Sequence, residues 1–227
     1  VSARGAGAGI AELVLVRHGE TAWNRDRRIQ GHLDTALNDE GLRQARAAAR
    51  RLAADARRDG AGPAPPALPA LVSSDLLRCR QTAEPIAAAL GVPLGIEPAL
   101  RERHFGVYQG RTWPQILRDD AERAARWLAR DPDLEVEGGE SLRAFARRAG
   151  DALAMLGAAH LGRTLIVVTH GGVLDVAHRL ARGLPLEAPR DFEIANASLN
   201  RLRFDGERFE MVCWGDVSHW RDALDEL

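Results

Sequence analysis

Seven histidines occur in this 227-residue chain, and two of them stand in the same local setting. Leu13 Val14 Leu15 Val16 Arg17 His18 Gly19 and Leu165 Ile166 Val167 Val168 Thr169 His170 Gly171 each lead four apolar residues into a small polar or basic residue, then His, then Gly. Such a run, rich in β-branched residues and closed by Gly, reads as an interior strand of a parallel sheet. Ligands of such sheets bind outside the carboxyl ends of the strands. If both strands share one sheet, His18 and His170 emerge at the same edge on rigid supports. Each glycine then lets backbone N–H groups approach a bound group closely. Each unit is expected to open into a helix, whose N-terminus offers unpaired N–H donors and the positive end of the dipole. That setting favours an anion held beside reactive imidazole. A strand end with ordinary surface polarity is the plainer reading of either motif alone; a second copy weighs against it.

The elements that position these residues follow from periodicity and punctuation. After the first strand, near 12–17, Asn38 reads as the N-cap of a helix over about 39–58. Pro63, Pro65, Pro66 and Pro69 make 59–70 an extended surface connection. Leu71 and Val72 form a short strand, and Ser73 to Asp75 cap a helix that stops at Gly91, with Pro85 expected to kink or split it. A strand near 93–97, a helical region over 114–130 and a helix from Ser141 to His160 lead to the second His-Gly strand. A helix over 172–182, closed by Gly183, then leads to a hairpin turning at Asp205 and Gly206, with Phe209, Met211 and Cys213 on one face. Strands alternating with helices predict an α/β fold, a three-layer α/β/α sandwich with a mostly parallel sheet and helices on both faces. Residues 1–11 read as a flexible tail and 12–227 as a single domain.

The net charge is −1, from 31 basic and 32 acidic residues, so no global field favours nucleic acid or an anionic membrane. Every basic residue counted there is Arg. The absence of Lys removes a P-loop lysine and any lysine Schiff base, while guanidinium serves phosphate recognition at least as well. Cys79 and Cys213 are too few for a disulfide framework and lack metal spacing, which fits a reducing cytoplasm. No apolar stretch approaches the roughly 20 residues of a membrane span, and VSARGAGAGIA lacks the core of a signal peptide.

RHGETAWN at 17–24, RIQGHLDTALNDEG at 28–41, SSDLLRCRQTAEPIA at 73–87, LRERHFGVYQG at 100–110, GGESL at 138–142 and VVTHGG at 167–172 together resemble the histidine phosphatase superfamily, the phosphoglycerate-mutase-like group. The likeness runs in order from about Leu13 to GDVSHW at 215–220, and six ordered motifs are far more specific than one. It implies that His18 is a nucleophile forming a phosphohistidine. Arg17, Arg78 and His170 would form a phosphate pocket, with Asn24, Gln30, Gly31 and the backbone near Gly171 as further binding groups. Neutral imidazole suits the nucleophilic role near pH 7, and adjacent guanidinium charge keeps it unprotonated. Glu102 matches the family's general acid, retaining its proton beside a phosphate dianion. His104 would line the mouth; His32, His160, His178 and His219 have no metal spacing and read as structural or exposed.

Within the family the same pocket serves hydrolysis or, with 2,3-bisphosphoglycerate as cofactor, a mutase reaction. A mutase needs extra cations for a distal phosphate and carboxylate. The resemblance puts Trp113 where mutases have Lys, finds no Arg pair after Asp119 and Asp120, replaces a Tyr by Phe105, and sets GGESL with the phosphatases. The expectation is therefore a metal- and cofactor-free phosphomonoesterase for a small phosphate ester, with dimerisation left open. A mutase, or a silent phospho-ligand-binding module on the same fold, are the alternatives. Neither Cys has an Arg at the spacing of a cysteine phosphatase, and no apolar strand precedes Asp131 Pro132 Asp133.

Overall fold

A computed structural model describes residues 9–59 and 68–221. In chain order its elements begin with β1 (Ala11–Arg17), α1 (Ala22–Arg25), α2 (Asp39–Asp59), β2 (Ala70–Ser73), α3 (Leu77–Leu90) and β3 (Leu94–Ile96). They continue with α4 (Trp113–Asp119), α5 (Ala121–Leu128), α6 (Leu142–Ala159), β4 (Thr164–Thr169), α7 (Gly171–Arg182), β5 (Leu199–Phe204), β6 (Phe209–Asp216) and α8 (Ser218–Arg221). The sheet order is β3-β2-β4-β1-β5-β6, with the first four strands parallel and β5 and β6 joined antiparallel.

The two apolar runs are the central strands, and their side chains alternate between two cores. Leu13, Leu15, Leu165 and Val167 pack with α6 and α7 on one face; Val14, Val16, Ile166 and Val168 pack with α2 and α3 on the other. Burial on both faces is why the runs are apolar throughout rather than alternating. Each fully buried aliphatic side chain contributes about 1.5–3 kcal/mol. The sandwich with helices on both faces is as expected. No helix among the described residues is long and apolar enough to cross a membrane.

Several boundaries differ from expectation. Residues 9–11, expected within the tail, are tied to the fold: the Ile10 carbonyl accepts the Gly162 N–H and Ala11 is fully buried against β5. Residues 1–8, and most of the proline-rich segment at 60–67, lie outside the described residues. α3 is one helix despite Pro85, because Ala83, Ile86 and Leu90 on both sides of the proline are buried against the sheet. Its first N–H is capped by the Asp34 carboxylate at 2.6 Å, while Asp75, expected as a cap, pairs instead with Arg101. The 114–130 region is two helices meeting at Asp120, which ends α4 and caps α5. In β6 an extra residue enters between the pairs Arg201–Cys213 and Leu202–Met211. This bulge reverses the side-chain parity, so Trp214 joins Phe209 and Met211 against the core and Cys213 is exposed. Asn38 and Ser141 cap α2 and α6 as predicted.

Candidate active site

With Arg17 opposite Thr169 in the parallel pair, the next residues of β1 and β4 are His18 and His170, whose rings lie 5.4 Å apart between centroids. His18 Nδ1 is 2.8 Å from the Gly19 carbonyl oxygen. A carbonyl only accepts, so Nδ1 carries the proton and the lone pair is on Nε2. Burial, followed by the charges of Arg78 and Arg17, holds His18 well below the ordinary imidazole pKa, against the weaker opposing effect of the Gly19 carbonyl. Fully buried His170 places Nε2 2.9 Å from Ser74 Oγ and 3.3 Å from Cys79 Sγ. Its pKa is likewise held low, first by burial and then by Arg78 and His18. Burial pushes the Cys79 thiol far up, leaving it an uncharged packing group.

Two neutral buried imidazoles have a consequence for stability. Unfolding lets each bind a proton at its ordinary pKa near 6.5, so the unfolded chain takes up more protons once pH drops below that value. Stability should be full above about pH 6.5 and fall below it, by up to about 1.4 kcal/mol per pH unit for each histidine. Urea midpoints measured from about pH 7.5 to 5 check this. His170→Gln should flatten the slope, and a wild-type midpoint that holds steady to pH 5 would contradict it.

Arg17 donates through Nη1 to the Ile194 carbonyl at 2.6 Å, and Arg78 donates through Nη1 and Nη2 to the Leu33 and Gly31 carbonyls at 3.1 and 2.7 Å. In both, Nε is buried with no acceptor among the described residues. Burial lowers both pKa values, that of Arg17 to about 10 with repulsion from Arg190 and Arg78 contributing, so both stay charged at neutral pH. Of the other sequence candidates, Gly31 holds Arg78 through its carbonyl and Gln30 accepts from the Thr35 hydroxyl at 2.7 Å. Asn24 closes a capping box with Thr21, its Oδ1 accepting the Thr21 N–H at 3.1 Å.

Glu102 reaches the same edge from the segment after β3. Its carboxylate accepts the Gly172 N–H at 2.9 Å through Oε2 and the Arg103 N–H at 2.9 Å through Oε1. The space for this contact exists because residue 172 is glycine: a Cβ there would lie 2.0 Å from Glu102 Oε1. Arg148, on α6, holds the segment by donating to the carbonyls of Ala99, Arg101 and Glu102 while pairing with Glu140. His32 adds a ring contact to the Glu102 carbonyl at 2.7 Å. The other glycine expectation needs correction. Gly19 gives its N–H to Thr82 Oγ1 at 3.0 Å, and its lack of a side chain serves close packing on Gly41, whose carbonyl a Cβ would meet at 2.5 Å. After it comes a loop and the single turn α1; only the second motif opens into a long helix.

Beyond this cradle lies a cavity of about 330 Å³ lined by Arg17, Glu102, Gly171 and Gly172 on the cradle side. Its outer wall holds Phe105, Trp127, Leu134 and Phe145 together with Arg103, Arg130 and Arg190. His104 is not among its lining residues; its ring packs on His32 at 4.6 Å. Trp113 packs on Trp127, outside the lining. The cations whose absence near Trp113 weighed against a distal anion thus come from other parts of the chain. Asn196 was also missed: its Nδ2 donates to the His18 carbonyl at 3.0 Å. Among the described residues no three His, Cys, Asp or Glu side chains gather as a metal site.

Known proteins resemble this chain over nearly its full length. The chain is 39% identical to phosphoglycerate mutase-like protein 4 of Arabidopsis thaliana over 216 residues, 94% of this chain and 88% of the relative. It is also 39% identical to the metal-independent phosphoserine phosphatase of the same plant, over 92% of this chain and 83% of that one. A mycobacterial glucosyl-3-phosphoglycerate phosphatase solved with VO3 superposes with a TM-score of 0.74 at 32% identity, covering 90% of this chain and 98% of its own. The family model described as histidine phosphatase superfamily (branch 1) matches residues 13–217, a span that contains both His-Gly strands, Arg78 and Glu102, and the chain belongs to that superfamily.

Proposed function

We propose that the protein is a phosphomonoesterase that works through a phosphohistidine on His18. The observation that carries this reading is the pair of buried guanidinium Nε–H groups of Arg17 and Arg78, without an acceptor among the described residues, beside an imidazole whose Nδ1 is already engaged. Buried donors without acceptors are costly, and a phosphoryl group satisfies them. His18 Nε2 attacks phosphorus, the P–O bond to the alcohol breaks, and Glu102 gives the departing oxygen its proton. Water, deprotonated by Glu102, then attacks the phosphohistidine, releasing inorganic phosphate and restoring both groups. Arg17, Arg78 and His170 stabilise the charge on the equatorial oxygens, and the Nδ1 bond to Gly19 persists throughout and keeps the ring aimed.

The relative named as a metal-independent phosphoserine phosphatase supports hydrolysis without a metal. Small phosphorylated metabolites fit a cavity of about 330 Å³. The mutase reading is favoured by relatives named as probable phosphoglycerate mutases, 33% identical over 95% of this chain. Trp113, half-buried against Trp127 and outside the cavity lining, supplies no cation at the position where the resemblance puts a mutase lysine, which favours hydrolysis. Two free cysteines support a reducing compartment such as the cytoplasm. A panel of phosphate esters assayed for phosphate release, with and without EDTA and beside a bisphosphoglycerate-primed mutase assay, tests the reading. Chelator-resistant phosphate release is expected. Mutase turnover exceeding phosphate release would move the assignment to the alternative, and inactivity in every arm would leave the binding module.

A further inference from the structure

We infer that Gln44, on α2, is a positioning residue for the nucleophile: its side-chain oxygen holds the peptide unit through which the His18 ring is aimed. This rests on the phosphatase reading and deepens it at the same site. Among the apolar residues that α2 buries, such as Ala45, Ala48 and Leu52, stands the amide of Gln44, only 4% exposed. A buried amide is costly unless both its ends are bonded. Here Oε1 accepts the Glu20 N–H at 2.9 Å and Nε2 donates to Glu40 Oε1 at 3.4 Å, so the two partners fix which end is oxygen. The Glu20 N–H lies in the same planar peptide unit as the Gly19 carbonyl, and that carbonyl accepts from His18 Nδ1 at 2.8 Å. Ring, peptide and amide thus form one chain whose donors all point the same way, ending on the carboxylate of Glu40, which is itself paired with Arg43.

When phosphorus bonds to Nε2 while Nδ1 keeps its proton, the ring gains positive charge. Aligned dipoles that end on a carboxylate stabilise that charge and keep the ring from turning. A third group behind a nucleophile and its base plays the same part elsewhere in covalent catalysis. The loop around His18 has its own ties. Asn196 donates to the His18 carbonyl, Thr82 accepts the Gly19 N–H, and the Asn38 N–H donates to the Glu20 carbonyl at 3.0 Å. Each of these bonds engages a neighbouring peptide plane. Among the described residues only Gln44 holds the N–H of the Gly19–Glu20 plane. Removing its oxygen therefore loosens the support of the ring without opening the loop, and it leaves Arg17 and Arg78 on the carbonyls that hold them.

The test compares the wild type with Gln44→Met, which keeps length and loses the acceptor, and with the exchange variant Glu40→Gln/Gln44→Glu, which returns an acceptor oxygen to position 44. In single turnovers with p-nitrophenyl phosphate, Gln44→Met should phosphorylate His18 about 10- to 50-fold more slowly, the size expected when a buried hydrogen-bonding group loses its partner. KM and the affinity for vanadate should stay within about threefold, because the loss falls on the reacting ring rather than on phosphate binding. The exchange variant should recover most of the rate. Nitrogen-15 NMR of the His18 ring in unliganded protein reads the same support without turnover: one tautomer, protonated on Nδ1, in the wild type and the exchange variant, and a mixture of tautomers in Gln44→Met. A merely structural role would lower the urea midpoint and leave the tautomer alone. A wild type that forms no phosphoenzyme would overturn the phosphatase reading, while the tautomer result would still decide whether Gln44 fixes the ring. An unchanged tautomer in folded Gln44→Met, a loss carried mainly by KM, or no recovery in a folded exchange variant would overturn the proposal.

Discussion

His18→Ala should lower phosphate release from every ester by about 10⁴-fold or more, the scale seen when a covalent nucleophile is removed and the rest of the site is left in place. The expectation follows from the ring's own contacts. Nδ1 is held by Gly19, so only Nε2 can attack, and the neighbouring His170 cannot substitute, because its Nε2 already faces Ser74 and Cys79. Arg17 and Arg78 survive the substitution, held by the carbonyls of Ile194, Leu33 and Gly31. The variant should therefore still bind inorganic phosphate or vanadate, which separates lost chemistry from lost fold. Brief exposure of the wild type to labelled substrate should leave a phosphoenzyme that resists alkali and is lost in acid, absent from the variant. Retained turnover in a folded His18→Ala protein would sink the covalent mechanism.

Much of this centre was legible because its key residues sit at the ends of elements whose signals are local. Four apolar residues followed by His and Gly announce a strand, its end and its exposed imidazole within eight positions, and parallel pairing then puts His18 beside His170 without further information. Ser141 and Asn38 announce helix starts in the same local way. What could not be read depends on pairings between distant residues. Arg148 reaches back 46 residues to the Glu102 carbonyl, and Asn196 meets a carbonyl 178 residues earlier. Neither spacing has a sequence signature. Arg103, Arg130 and Arg190 are three among 31 basic residues that are all Arg, and only the folded chain separates those facing a cavity from those on a solvated helix. Cys213 was misplaced for a related reason: a bulge inverts strand parity, and the alternating pattern carries no mark of the inserted residue. The glycine after His18 looked like a ligand contact because Gly permits close approach; what approaches Gly19 is the backbone of Gly41.

Glu102→Gln provides the most selective test of how the proton moves. A departing alkoxide is far too basic to leave without a proton, whereas nitrophenolate leaves unaided, so general acid catalysis of about 10²- to 10⁴-fold should be lost for alkyl phosphates and largely spared for p-nitrophenyl phosphate in the first step. Gln keeps the side chain's length and one acceptor oxygen, for the Gly172 N–H, and loses the acceptor for the Arg103 N–H, while Arg148 and His32 still hold the segment through the Glu102 carbonyl. Dephosphorylation also uses Glu102, to deprotonate water, so with nitrophenyl phosphate the variant should release a rapid burst of nitrophenol and then turn over slowly. Gly172→Ala offers an independent route to the same outcome. Its methyl group would fall 2.0 Å from Glu102 Oε1 and 3.0 Å from the Phe145 ring, and the carboxylate is the more movable of the two neighbours. Displacing the acid without removing it should again penalise alkyl esters more than the nitrophenyl ester, with a smaller loss than Glu102→Gln. Equal penalties on both ester types, in both variants and without a burst, would assign Glu102 a merely structural part and require another donor for the leaving group.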